Sequence, residues 1–339
     1  MTAVISNYFE QAQVVVTGGS GAIGSRLVRR LLAEPIAKLI VIDDYSSGFR
    51  WLLPEDERLQ VINADVNAIA QLPLEVEQPV IFHLAALFAN QNSVDHPHED
   101  LRVNGSGTLG MLLWAQQREA RRFVYASAGC SVAGHDIAGP IHEDLPPSLH
   151  HHTPYQITKL LGELYCNYFS DSLSTVRCRF FNAFGPGEVP GAYRNVIPNF
   201  LWEAINGRPL VITGSGEETR DFVFVDDLVE GLVLSAAVPE AGGLAINLGT
   251  GTATKIIDLA HSINALCGDR SEIRIAKRRP WDHSSHRCAD SSLARKVLGF
   301  SPQVDLQSGL SLTAEWFAQN QTIIAQTIEQ RGNSDKDGL

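Results

Sequence analysis

The sequence is short of nearly everything that marks a secreted, membrane or nucleic-acid-binding chain. Its 339 residues hold five cysteines, Cys130, Cys166, Cys178, Cys267 and Cys288, with no C-x-x-C pair and no zinc-ligand spacing. An odd, scattered set fits reduced thiols rather than a disulfide framework, and no metal site is expected from it. Basic residues are too few for a nucleic-acid surface: 27 Lys and Arg stand against 38 Asp and Glu, a formal charge of −11. An anionic ligand would therefore have to be held by individual arginines. No apolar run approaches the roughly 18 residues of a membrane span. The first residues also lack the basic-then-apolar order of a secretory signal. These absences leave a cytoplasmic, soluble chain as the expectation, with neither membrane nor nucleic acid as partner. Apolar residues at 44% and charged residues at 19% are an ordinary globular balance, and the length suits about two domains.

What is present first is an alternation. Apolar β-like runs at 13–17, 38–42, 59–63, 80–84, 122–126 and 174–180 are separated by segments of helical period such as 25–33, 101–120 and 155–170. Strands alternating with helices predict an α/β fold with a parallel sheet covered on both faces. Ligands of such sheets bind beyond the carboxyl ends of the strands, where Gly18, Asp43, Asp65, Ala85 and Ser127 fall. After Asn182 the regularity fades into Gly/Pro-marked loops with a helix-like segment at 196–206. A run at 222–225 with a helix at 227–237 reads as a return to the first layer, and 255–267 and 291–298 as helices of a smaller part. The expected division is 1–181 with 217–250 in the first domain, and 182–216 with 251–325 in a smaller C-terminal α/β substrate-binding domain. Residues 326–339 are polar and are expected to be a frayed tail.

The strongest local signal is Val14-Val15-Val16-Thr17-Gly18-Gly19-Ser20-Gly21-Ala22-Ile23-Gly24, a β-branched strand entering a glycine turn that opens an amphipathic helix. Backbone N–H groups at such a helix start point at an anion, and the glycines let a dinucleotide pyrophosphate approach. The run Lys38–Ile42 then ends in Asp43-Asp44, nineteen residues after Gly24. A carboxylate there accepts the ribose hydroxyls of the adenosine half and repels a 2′-phosphate, which favours NAD over NADP. Ser47 and Gly48 in the next turn are counted with this site. Together these residues predict a Rossmann-type doubly wound domain. Further on, Tyr155 and Lys159 stand four residues apart at the start of a helical segment and so share one face. A neighbouring ammonium favours the phenolate, which makes Tyr155 a base. The plainer alternative is a surface Tyr and Lys on an amphipathic helix.

In this order the motifs become specific. The T-G-G-x-G-x-x-G turn, Asp43, Asn63-Ala64-Asp65-Val66, His83-Leu84-Ala85-Ala86, Asn104 and Tyr155 with Lys159 resemble the extended short-chain dehydrogenase/reductase family. Arg179–Gly187, Thr219-Arg220-Asp221-Phe222, Asn247-Leu248-Gly249 and Arg279-Pro-Trp-Asp282 agree, so the likeness spans about 12–302. The subset it looks like is the nucleotide-sugar epimerases and dehydratases. The resemblance implies NAD on Gly18, Gly21, Ala22, Ile23, Gly24, Asp43, Asp44, Ser47 and Gly48. Asp65 and Val66 would hold the adenine, and Leu84, Ala85 and Ala86 would line the path to the nicotinamide, with Asn104, Tyr155 and Lys159 also counted in the cofactor site. Tyr155 would take a sugar hydroxyl proton. Asn182, Arg220 and Arg279 would meet the diphosphate of a nucleotide-diphosphate sugar, Asn195 and Val196 its base, and Asp282 a ribose hydroxyl.

The chain departs from the family pattern at Tyr125–Gly134. Ala128 stands where relatives carry Ser or Thr, and a one-residue shift would put Ser127 in that role. Cys130 falls where dehydratases have a Glu acting at C5 and where some epimerases have a cysteine acid/base. The plain reading is a small buried thiol. The dehydratase Asp-Glu pair is replaced by Gly129 and Cys130. His150-His151-His152 reads as a polar loop, since three adjacent histidines do not converge on one metal from regular structure. The expected function is an NAD-dependent nucleotide-sugar epimerase, foremost a 4-epimerase. The alternatives are C5 epimerisation or elimination using Cys130, uronic acid decarboxylation, or, from another class, a non-catalytic NAD sensor or scaffold. Family resemblance also implies a homodimer through helices near 101–120 and 155–170.

Overall fold

Runs of β-branched residues with no exposed face build the centre of the molecule. The computed structural model describes residues 2–133, 137 and 139–337. In chain order its strands are β1 (Gln13–Thr17), β2 (Lys38–Asp43), β3 (Leu59–Asn63), β4 (Val80–His83), β5 (Arg122–Ala128) and β6 (Thr175–Phe180). They continue with β7 (Asn182–Phe184), β8 (Leu210–Thr213), β9 (Thr219–Phe224), β10 (Ala245–Leu248), β11 (Ala253–Lys255) and β12 (Ile273–Ala276). Seven strands pair in the order β10-β6-β5-β4-β1-β2-β3, and every pairing is parallel. Val14 and Val16 of β1 face one apolar core with the helices Ala22–Leu32 and Val225–Ala237. Val15, between them, faces a second core with Thr108–Gln117 and Pro154–Phe169. Burial on both faces is why these strands read as unbroken apolar runs. The fold is an α/β doubly wound sheet of Rossmann type. Its order reverses at β1, between β2 and β4, and a crevice opens there at the carboxyl ends.

A third core belongs to a smaller lobe. The sheet β11-β9-β7 and the pair β12-β8 pack with the helices Val196–Ile205, Ile256–Leu266 and Leu306–Gln319. Here two expectations change. The run at 222–225 does not return to the main sheet: β9 pairs with β7 and β11, and only the helix Val225–Ala237 goes back. The cause is visible in its alternation, since Phe222 and Phe224 enter the third core while Val223 enters the first. The tail is not frayed from 326. A helix, Gln321–Asp337, lays Ile324, Thr327 and Ile328 on the smaller lobe and brings Arg331 over the Phe49 ring at 4.2 Å. Its apolar face lies just upstream of the polar stretch that dominates the composition there. Among the described residues no helix is long and apolar enough to cross a membrane.

Candidate active site

The glycine turn is shaped by contact. Gly18 has φ of 70°, and a Cβ on it would lie 2.7 Å from Ala85 N, so the turn rests directly on the chain leaving β4. A Cβ on Gly24 would lie 2.1 Å from Gly18 O, which seats the helix against its own turn. Gly21 caps that helix without a side-chain bond, leaving the first-turn amides to a ligand. Ser20 Oγ is buried beside them with no partner. At the end of β2, Asp43 accepts from Ser20 N at 2.8 Å and from Tyr45 N at 2.9 Å, and burial raises its pKa. Glycine cradle, open helix start, orphan hydroxyl and terminal carboxylate fit a dinucleotide.

The wall after β4 is pinned from behind. Thr17 Oγ1 accepts from Ala85 N at 3.2 Å and bonds His83 Nδ1 at 2.7 Å. Asn104 accepts from Leu87 N at 2.8 Å and donates to Leu87 O at 3.2 Å. The helix Pro154–Phe169 is capped by Thr153, whose side chain accepts from Gln156 N, with Pro154 in the first turn. Lys159 Nζ donates to Ala126 O at 2.9 Å and lies 5.7 Å from the Tyr155 ring centroid. Burial pushes Lys159 down to about 8. Tyr155 donates its backbone N–H to Ser93 Oγ at 3.0 Å and sets its ring edge-on to Phe88.

These parts line one cavity of about 300 Å³ at the strand ends. Of the expected cofactor residues, Gly18, Gly21, Ala22, Ile23, Gly24, Asp43, Asp44, Ser47, Gly48, Asp65, Val66, Leu84, Ala85, Ala86, Tyr155 and Lys159 all border it. Asn104 does not; it is buried behind the wall it pins. Asn182 and Asn195 border the cavity, with Asn182 Oδ1 buried and unpartnered. Val196, Arg220, Arg279 and Asp282 do not border it. Arg220 donates to Thr219 O and Ser284 O and stands 3.7 Å from Asp282, while Arg279 is exposed over the Trp281 ring. Ser127 borders the cavity, but its hydroxyl donates to Glu163 Oε1 at 2.5 Å, on a carboxylate held bidentately by Arg179. Cys130 is in the short helix Gly129–Val132, and its side chain lies outside the described residues. Among the described residues no cluster of His, Cys, Asp or Glu is arranged for a metal.

The cavity also holds Glu188, Arg194 and Arg287, which sequence reasoning did not single out. Glu188 is buried, which raises its pKa, and accepts from Asn195 N at 3.3 Å. Arg194 donates from Nη2 to Ser47 O and Ser47 Oγ, each at 2.7 Å. Arg287 donates from Nε to Ser284 Oγ at 2.7 Å. The only available hint was that Arg194 directly precedes Asn195.

The model of the NAD dependent epimerase/dehydratase family matches residues 14–249. The chain belongs to that family. It is 36% identical over 313 residues to the UDP-glucose 4-epimerase of Mycolicibacterium smegmatis, covering 90% of this chain and 98% of the relative. To UDP-glucuronic acid decarboxylase 1 of Xenopus tropicalis it is 31% identical over 318 residues, 91% of this chain and 72% of that one. Among solved structures, the epimerase Mth375 of Methanothermobacter thermautotrophicus matches with a TM-score of 0.90 and 43% identity, covering 96% of this chain and 98% of that one. WbmF of Bordetella bronchiseptica, solved with NAD+ and UDP, matches with a TM-score of 0.83 at 32% identity over 96% and 98% of the two chains. The epimerase/dehydratase family thus supplies what the glycine cradle already fitted, NAD as cofactor. The chain is an NAD-dependent enzyme of the nucleotide-sugar epimerase/dehydratase class.

Proposed function

We propose that the protein is a nucleotide-sugar 4-epimerase. The observation that carries this reading is the Tyr155–Lys159 pair on the wall of the same cavity that begins at the Gly18 turn. Bound NAD supplies a hydride acceptor that gives the same hydride back, so it is not consumed. The protein's own work is to handle the proton and the sugar. Tyr155 Oη takes the proton of the C4 hydroxyl and returns it, and the Lys159 ammonium favours the phenolate between the two events. Inversion at C4 would require the 4-keto sugar to turn its opposite face to the cofactor before Tyr155 gives the proton back. Asn182 and Asn195 are the polar groups for the substrate, and Arg287, buried at the cavity, supplies a guanidinium for an anionic group on it. Arg220, Arg279 and Asp282 take part on this reading only if the segment 278–284 moves inward when substrate binds.

The relatives named for UDP-glucose 4-epimerase and for UDP-N-acetylglucosamine 4-epimerase support the same reaction. A second reading, decarboxylation of a nucleotide-linked uronic acid through the same C4 oxidation, is favoured by the decarboxylase relatives. The deciding experiment is incubation with a panel of nucleotide sugars in deuterated water, read by NMR. Inversion at C4 without deuterium supports the 4-epimerase. Deuterium at C5 or loss of carbon dioxide would replace it with chemistry at C5. Tyr155→Phe is expected to lower turnover by about 100- to 10,000-fold, and full activity in that variant would overturn both readings.

We also propose a homodimer in the cytoplasm. Ile157, Leu164 and Tyr168 form an exposed apolar row on the helix Pro154–Phe169, beside exposed Leu101 and Leu113. The four cysteines with described side chains are free, as a reducing compartment would keep them.

A further inference from the structure

Arg194 starts in the smaller lobe and ends in the cofactor loop of the larger one. Both N–H groups of Nη2 are spent on Ser47, one on its carbonyl and one on its hydroxyl. Ser47 and Gly48 lie against the glycine turn: a Cβ on Gly48 would fall 2.6 Å from Ser20 C, and Phe49 N donates to Ser20 O at 2.9 Å. Arg194 is therefore placed at the start of the helix Ala22–Leu32, at the pyrophosphate end of the cavity and not at the Tyr155 end. Its Nε and Nη1 make no hydrogen bond to protein among the described residues, and the side chain borders the cavity. Glu188 acts on it through space without forming an ion pair, and burial lowers its pKa. A guanidinium carries five N–H donors, so three remain for a ligand.

We propose that Arg194 is a cofactor ligand contributed by the smaller lobe, pairing with the NAD pyrophosphate from the side opposite the glycine turn and holding the dinucleotide in place. The helix amides and glycines would meet the phosphates from the side of the turn. Arg194 supplies the counter-charge on the other, where an arginine's planar fork suits phosphate oxygens. Because Arg194 also adjoins Asn195, the first polar residue of the nucleotide-sugar helix, the grip on NAD is mechanically joined to the loop that meets the substrate. A permanently held cofactor suits the proposed reaction, on which this inference rests only in that one respect.

The test uses the full-length protein and NAD alone, with no sugar present, so it stands apart from which reaction is catalysed. NAD affinity is measured by equilibrium dialysis and by the rise in melting temperature on adding NAD. Arg194→Met is expected to weaken NAD binding by about tenfold or more. Arg194→Lys should recover part of that loss, and Ser47→Ala should cause a smaller one by freeing the fork. The KM for the nucleotide sugar at saturating NAD should change little. Unaltered NAD affinity in Arg194→Met would overturn the proposal. So would a raised nucleotide-sugar KM at saturating NAD with NAD affinity intact, which would make Arg194 a substrate residue. If Arg194→Met fails to fold, unaltered NAD affinity in both Arg194→Lys and Ser47→Ala overturns it instead.

Discussion

Lys159 is buried at the cavity wall, where its ammonium donates to Ala126 O and the charge of Asp100 offsets the loss of water only in part. Its pKa therefore falls to about 8 from the usual 10.5. As pH rises through about 8 the ammonium is lost, and with it the charge that favours the Tyr155 phenolate. We expect kcat/KM to fall on the alkaline side with a midpoint near that value, read from a pH–rate profile. Stability runs the other way. Between about 8 and 10.5 the unfolded chain holds more protons on this lysine than the folded one, so folding gains as pH rises across that window. Urea midpoints across the window should climb in the native protein and climb less in Lys159→Met. That Tyr155 and Lys159 are neighbours was legible from spacing, because residues four apart on a helix share one face, but spacing alone left a surface pair as the plainer reading. The partner of Ser127 was not legible: its hydroxyl meets Glu163, a residue 36 positions away that only the packing of β5 on the helix Pro154–Phe169 brings near.

At the level of elements, β1, β2, β4 and β5 were readable because they are buried on both faces and so show as largely apolar runs, whereas β3 shows only Leu59, Val61 and Ile62 between exposed Gln60 and Asn63. The short strands of the smaller lobe were not readable. β8 and β12 are four residues each, with Val211 and Ile275 exposed, too brief and too mixed to stand out from loop. The loop after β2 shows how such an element gains order from a distant one. Phe49, Trp51 and Trp316 stack in series at 6.0 and 6.1 Å, with Arg331 over Phe49 at the far end. The chain carrying Ser47 and Gly48 is thus held from below by the helices Leu306–Gln319 and Gln321–Asp337. Trp316→Ala removes one plate of this stack, about 0.5–1.5 kcal/mol beyond the area it buries. The expected result is a lower melting temperature and a smaller stabilising effect of NAD, both from one pair of thermal melts.

At the scale of the molecule, a row of apolar side chains stands bare among the described residues. Tyr168 is 78% exposed, and Ile157 and Leu164 are each more than half exposed on the same side of the helix Pro154–Phe169. If two copies meet there, Leu164→Glu puts a charge in the interface and the protein should elute as a monomer in size exclusion with light scattering, where the native protein elutes as a dimer. A native monomer would remove the homodimer from the account. The fading of alternation after Asn182 marks where the chain leaves the main sheet. The join of the two lobes was not legible, because Glu188, Arg194 and Arg287 sit in loops that have no period to read.

That join also limits what can be exchanged. β9 is buried on both sides, with Phe222 and Phe224 in the core of one lobe and Val223 in the core of the other. A smaller lobe transplanted from a relative would bring either its own β9, misfitting the host's sheet-side core, or the host's, misfitting the new lobe. The two lobes are therefore not detachable modules, and changes to loop residues around the cavity will disturb the fold less than an exchange of lobes.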